Sequence, residues 1–289
     1  TSGHYFEPRI NSSYQILPWL KLKASAGKYY QFARRVIRED ILQGSRDFWV
    51  LSDNDKLPVS SSDQLAVGFS LENKDLLFDA EVYYKKLYNI TEYSLRYTFN
   101  PKEVDYEESF YTGNGEVRGI DLLLQKKSGK FNGWIGYTLG QVVSRYPDFG
   151  DYDFYASNDV THEFKIVGSY QWKNWVFGAT WIYTTGRPYT APEGGYQLTL
   201  LDGTTVDFIN VSVKNGMRLP DYHRLDLSAT YNFKISNTVP VSVGMSIFNV
   251  YNRANVWYKE YEIIENQIIE TPVYFLGFTP NINLTIKMK

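Results

Sequence analysis

Apolar and polar residues alternate with a period of two from one end of this chain to the other, and helical i, i+3, i+4 spacing is nearly absent. The clearest stretch is Trp175 to Thr184. There Trp175, Phe177, Ala179, Trp181 and Tyr183 share one face, and Val176, Gly178, Thr180, Ile182 and Thr184 share the other. His223 to Lys234 repeats the pattern, with Leu225, Leu227, Ala229, Tyr231 and Phe233 set against Asp226, Ser228, Thr230, Asn232 and Lys234. Near the end, Ile282, Leu284, Ile286 and Met288 oppose Asn283, Thr285 and Lys287. Successive side chains of a strand point to opposite sides, so each segment reads as a strand with one apolar and one polar face. A soluble sandwich shares that property, and alternation alone fixes only the β class.

The links between strands decide more. Eleven candidate strands lie near residues 9–17, 20–32, 63–72, 76–93, 115–128, 131–146, 162–173, 175–187, 223–235, 240–250 and 277–289. Short links at Pro18-Trp19, Glu72–Asp75, Ser128–Lys130, Lys173-Asn174 and Ser236–Thr238 alternate with long ones at 33–62, 94–114, 147–161, 188–222 and 251–276. That alternation puts every long link at one end of the sheet. It is the pattern of an outer-membrane barrel, with tight periplasmic turns at one rim and long external loops at the other. A soluble sandwich has no reason to adopt it.

Composition agrees. Aromatic residues make up 17% of the chain, 25 of them Tyr. Mean hydropathy is only −0.37, and no run approaches the ~20 apolar residues of a membrane helix. Barrel strands average lipid-facing and lumen-facing residues to such a modest value. With no cysteine, a disulfide framework and Cys-based metal sites are excluded. A formal net charge of −2 lacks the basic excess of a nucleic-acid binder. Single-chain bacterial barrels close with an even number of strands, so an odd count of eleven predicts that further strands precede Thr1. No secretory signal opens the chain.

Five segments, in order, resemble the C-terminal barrel of TonB-dependent outer-membrane transporters. Phe6-Glu7-Pro8-Arg9 leading into Ser13-Tyr14-Gln15, and then Leu22 through Gln31, is similar to a mid-barrel hairpin of that family. Gly113-Asn114-Gly115-Glu116-Val117-Arg118-Gly119-Ile120-Asp121 resembles one of its strand starts. Arg218-Leu219-Pro220-Asp221-Tyr222-His223-Arg224-Leu225-Asp226-Leu227 is similar to its loop-to-strand entry near the C-terminus, and Ile247-Phe248-Asn249-Val250-Tyr251-Asn252 to its penultimate strand. The resemblance implies an all-β, antiparallel transmembrane barrel of 22 strands plugged by an N-terminal domain. Residues 1–289 would be about eleven of those strands, with the plug and the first strands outside this sequence. It further implies a Gram-negative outer membrane, contact with membrane lipid, coupling to the TonB energising complex through the plug, and room for a surface lipoprotein partner. The expected activity is energised import of a scarce nutrient: a siderophore, metal complex, vitamin, glycan or peptide. One departure is the end Met288-Lys289, where family members usually close on an aromatic residue.

Enzyme chemistry finds no support. His4, His162 and His223 are far apart without metal-ligand spacing. Gly113-x-Gly115-x-x-Arg118 is no dinucleotide fingerprint, and His223-Arg224-Leu225-Asp226 lacks the order of a kinase loop. No cofactor is expected, with one exception in the segment Tyr146 to Tyr155. Asp148, Asp151 and Asp153 there suit a hard, oxygen-coordinated cation such as Ca²⁺. The interleaved Tyr152, Phe154 and Tyr155 suit stacking on a sugar, aryl or planar ligand. Phe48, Trp49, Tyr189, Tyr196, Trp257 and Tyr258 lie in other external links and are candidates for the same ligand contact. The bland reading of all these aromatics is an interfacial girdle followed by solvated loops. Mid-strand Gly68, Gly136, Gly140, Gly178 and Gly244 mark either close approach of a plug or local curvature. Lys21, Lys23, Asp79, Glu81, Lys85, Asp121, Lys165, Asp226 and Lys287 face the lumen with mixed sign, unlike a porin's selectivity ring. Trp172, Trp175, Tyr231 and Phe233 are placed in the periplasmic aromatic girdle. Two other classes compete: a self-contained pore or translocator of about twelve strands, which would pair segments 9–17 and 277–289 directly, and a soluble β-sheet adhesin.

Overall fold

The computed structural model describes residues 3–38, 46–53, 57–93, 110–150, 152–211, 213–235, 239–265 and 267–287. The strands, in chain order, are β1 (Arg9–Leu17), β2 (Leu20–Gln31), β3 (Ala33–Arg38), β4 (Arg46–Leu51), β5 (Ser60–Glu72), β6 (Leu76–Tyr93), β7 (Phe110–Lys126), β8 (Phe131–Arg145), β9 (Phe154–Tyr155) and β10 (His162–Trp172). They continue with β11 (Trp175–Thr184), β12 (Pro188–Tyr189), β13 (Pro192–Thr199), β14 (Thr205–Val211), β15 (Met217–Arg218), β16 (Tyr222–Ile235), β17 (Val239–Phe248), β18 (Val256–Ile264), β19 (Gln267–Tyr274) and β20 (Thr279–Ile286). Eleven of them form one antiparallel wall in the order β1-β2-β5-β6-β7-β8-β10-β11-β16-β17-β20. These are the eleven strands expected from alternation, with ends moved by up to five residues, as at β7.

The long links differ from expectation. Three of them, read as loops in the sequence, pair with themselves into hairpins: β3 with β4, β13 with β14, and β18 with β19. Their Val, Ile, Tyr and Trp content gives them strand propensity of their own.

Register carries the alternation across the whole wall. On one face Tyr170, Phe177, Ala229, Met245 and Ile282 stand in line across five strands. On the other face Lys23, Gly68, Glu81, Asp121, Thr138, Glu163 and Thr184 form a row across seven. A single-residue slip would exchange the two faces, so register is strongly specified. At the short-turn end the apolar face carries a belt of stacked rings: Trp175 lies 4.9 Å from Tyr231 and 5.8 Å from Phe177, and Tyr231 lies 5.8 Å from Phe233. Amphipathic rings favour the headgroup level of a membrane.

The turns follow their residues. Between β5 and β6, the Asn73 side chain accepts from the N–H groups of Asp75 and Leu76 at 2.9 and 2.8 Å, which substitutes for a backbone turn. Lys173, in the two-residue turn between β10 and β11, adopts φ 53. At the other rim Asn249, fully buried with φ 53, ties the end of β17. Its amide donates to the carbonyls of Arg253 and Leu276 at 2.9 and 3.2 Å, and its own N–H donates to Asp226 at 2.9 Å. A buried amide with its bonds satisfied is favourable, whereas an aliphatic side chain would leave these groups unpaired.

Gly68, Gly136, Gly140, Gly178 and Gly244 lie on the polar face, where an added Cβ would meet atoms of the wall itself. A Cβ on Gly178 would stand 2.6 Å from Ser228 Oγ, one on Gly244 would strike the Asn283 amide, and one on Gly136 would press on Trp134 at 3.1 Å. The sheet has two free edges among the described residues: β1 pairs only with β2, and β20 only with β17. Among the described residues, segments 9–17 and 277–287 do not pair with each other.

Candidate functional site

Charges on the polar face compensate one another at short range. Lys23 meets Asp79 at 2.7 Å, Lys165 meets Glu163 at 2.7 Å and Arg224 meets Asp226 at 2.9 Å. Thr138 Oγ1 donates to Asp121 at 2.6 Å. Among the described residues these polar-face charges pair across signs rather than forming a row of one sign.

Above β6, β7 and β8 the external segments close into a cap. After Arg145 the chain turns through a single 3-10 turn (Pro147–Phe149) and places Tyr146, Phe149 and Phe154 in one buried cluster against Ile90 and Tyr111. Burial pushes the Tyr146 phenol well above its usual range; nearby Glu92 adds to the shift and Arg34 opposes it. Arg34, itself buried, donates to the Asn89 carbonyl and to Ser52 Oγ, both at 2.8 Å, pinning the β3–β4 hairpin to β6. Desolvation lowers its pKa, with partial compensation from Tyr146 and Asp53.

The strap 213–218 locks the cap from above. Lys214, almost wholly buried, meets Glu92 at 2.7 Å. Asn215 donates through Nδ2 to the Tyr155 carbonyl at 2.7 Å. Arg218 meets the fully buried Asp159 at 2.5 Å, donates to the Gly186 carbonyl at 2.9 Å and lies 4.6 Å from the Tyr155 ring centre. Asp159 also accepts from the N–H of Val142 at 2.6 Å. Buried ions survive only when paired and hydrogen-bonded, and these meet both conditions.

A second set of ring–cation contacts joins β12 to the β18–β19 hairpin. Lys259 Nζ donates to the Tyr189 hydroxyl at 3.0 Å and to Glu270 at 2.7 Å. Burial works against the Lys259 charge, but Glu270 and Tyr189 outweigh it and its pKa is raised. Tyr261, which donates to Glu270 at 3.2 Å, is raised by burial and by both neighbours. Next to this, Arg224 lies 4.1 Å over the Phe248 ring and donates to the Tyr222 hydroxyl at 2.8 Å. Tyr222 meets Phe275 edge-on at 5.6 Å, and Phe275 stacks on Trp257 at 5.5 Å.

The candidates from sequence therefore divide. Phe48 packs on Tyr93 and Phe110, and Phe154 is in the buried cluster, so both rings build the cap. Trp49, Tyr152, Tyr155, Tyr196, Trp257 and Tyr258 are exposed, while Tyr189 is half-buried beside Lys259. Asp153 is taken up by Arg145 at 2.7 Å, Asp148 is exposed in the 3-10 turn, and Asp151 lies outside the described residues. Among the described residues no group of three or more His, Asp or Glu is placed to hold a metal ion. Two of the histidines sit at the outer rim of the apolar face, His162 beside the Tyr137 hydroxyl at 2.9 Å and His223 beside that of Tyr251 at 2.8 Å. Sequence reasoning missed Asp159, Lys214 and Asn215 altogether, and it noted Arg218 only as part of a resemblance.

Comparison with known proteins places this geometry. A family model described as TonB dependent receptor-like, beta-barrel matches residues 1–252. Solved structures share the fold at low identity. The pyoverdine outer-membrane receptor FpvA of Pseudomonas aeruginosa PAO1 is 13% identical, with a TM-score of 0.58 over 97% of this chain and 35% of its own. The ferric preacinetobactin receptor BauA of Acinetobacter baumannii is 11% identical, with a TM-score of 0.59 over 97% of this chain and 36% of its own. The ferric yersiniabactin uptake receptor FyuA of Yersinia pestis is 12% identical, with a TM-score of 0.56 over 96% and 36%. The chain thus spans about a third of the length of the structures that it matches. No curated protein sequence matches it.

Proposed function

Since this chain belongs to the TonB-dependent receptor β-barrel family, we propose that it is the C-terminal wall of an outer-membrane importer that takes up a scarce nutrient using energy relayed by TonB. The observation that carries this reading is the two-faced wall with free edges. An apolar face in lipid and a polar face in the lumen suit a wide barrel, and an eleven-strand wall open at both edges needs partner strands. In hydrocarbon each unpaired backbone group costs several kcal/mol, so those partners are obligatory. They are the remaining strands of the same protein, and a plug occupies the lumen that they enclose. The self-contained pore loses ground here, because it requires β1 to pair with β20.

The cap is the proposed point of first contact with substrate. Exposed Tyr155 under Arg218, Trp257 beside Phe275, and Tyr189 beside Lys259 offer aromatic surface, the two cations being paired with Asp159 and Glu270 respectively. That surface favours stacking by a planar or aryl ligand, as in an aryl-bearing metal chelate. The test is uptake by whole cells that depend on the full transporter for an iron or copper chelate. Growth should fail when TonB is deleted or the proton gradient is collapsed. Uptake that persists without TonB would leave a passive pore as the better account.

A further inference from the structure

Charges on the apolar, membrane-facing side of the wall are unevenly distributed. On β10, β11, β16, β17 and β20 that face carries no lysine, arginine or carboxylate, and toward the long-link end it finishes in His162, Phe164, Tyr183 and His223. On β2 to β7 the same face ends differently. Lys28, Asp63, Lys86 and Glu116 stand in one row, and Tyr84, Arg118 and Gln141 in the row just nearer the membrane. One step farther in, Val67, Val82 and Ile120 are aligned and wholly apolar.

The cations of this patch keep donors to spare. Lys28 approaches Asp63 only at 3.5 Å and lies 5.8 Å from the rings of Tyr30 and Tyr88. Arg118 is held by a neutral group, Gln141 Oε1 at 2.8 Å, so its charge is not cancelled there. Lys86 and Glu116 are both exposed. Three cations thus face two carboxylates among tyrosine rings, at the depth where long basic side chains lift their heads toward phosphates. We propose that the outer rim of β2, β5, β6 and β7 binds the phosphate-bearing headgroup of an outer-leaflet lipid, whose acyl chains lie on the Val67, Val82 and Ile120 rows. The contiguous apolar rows favour a lipid over free phosphate.

The inference rests on the assignment of the membrane face and is independent of what the barrel imports. The test uses the full-length transporter, purified in neutral detergent and delipidated, with binding followed by native mass spectrometry. Dipalmitoyl phosphatidic acid should be retained, and dipalmitoyl phosphatidylcholine and inorganic phosphate should not. Each of Lys28→Gln, Lys86→Gln and Arg118→Gln should weaken retention about fivefold. Lys85→Gln, one residue from Lys86 but on the polar face, should leave it unchanged. Heat-modifiable migration on gels verifies that each variant is a folded barrel. Equal retention by Lys86→Gln and the parent would overturn the proposal, as would equal loss in Lys85→Gln. Saturation by inorganic phosphate with the same sensitivity to substitution would reassign the site to free anions and overturn the lipid reading.

Discussion

Ala229 and Thr230 are neighbours in sequence and opposites in environment. Ala229 lies in line with Phe177 and Met245 on the apolar face, and Thr230 with Val176 and Gly244 on the polar face. Ala229→Arg should cost roughly 2–4 kcal/mol in the folded full-length barrel, and Thr230→Arg much less. Urea titration of the two variants in bilayers checks this, and equal costs would be incompatible with a lipid face. In the cap, Arg218→Ala strands Asp159, which is fully buried. An uncompensated buried charge is worth about 3–5 kcal/mol, enough to release the strap. Faster proteolysis near 213–218 is the expected result, with partial recovery when Asp159→Asn is added. These pairs were illegible in the sequence for a simple reason: Arg218 and Asp159 are 59 positions apart, and Lys214 and Glu92 are 122 apart. Aromatic candidates were legible as a class only, since the same composition serves Phe154, which is packed, and Tyr155, which is exposed.

At the level of elements, the eleven wall strands could be read because three signals coincide. Alternation gives each strand its faces, Asn73 and Lys173 give the turns, and the rings of Trp175 and Tyr231 mark a membrane boundary. Hairpins inside the long links were not read. β13 and β19 are exposed on both sides for much of their length, so the two-faced pattern that identifies a buried strand is missing from them, whereas β18 does alternate and buries Tyr261 and Ile263. Topology nonetheless makes a sharp prediction. An epitope tag at the Asp202-Gly203 tip between β13 and β14 should be reached by antibody on intact cells, whereas one at Lys173-Asn174 should be silent until the cells are permeabilised. The reverse result would invert the orientation of the wall.

As the proposed part of a wider barrel, the wall is a surface expected to be stable only in company. Expressed without its partner strands, residues 1–289 should give no heat-resistant barrel in membranes, because both β1 and β20 would present bare backbone to lipid. Co-expression of the rest of the protein as a separate chain should restore one, and gel migration with and without heating distinguishes the cases. The outer hairpins have the opposite character. β13 pairs with β14 and β18 with β19, each closed on itself. An insertion or exchange at such a tip therefore shifts no wall register. Selection on what the cell recognises outside is thereby uncoupled from selection on what the bilayer requires, and a new specificity could be grafted onto this wall without redesigning any strand within it.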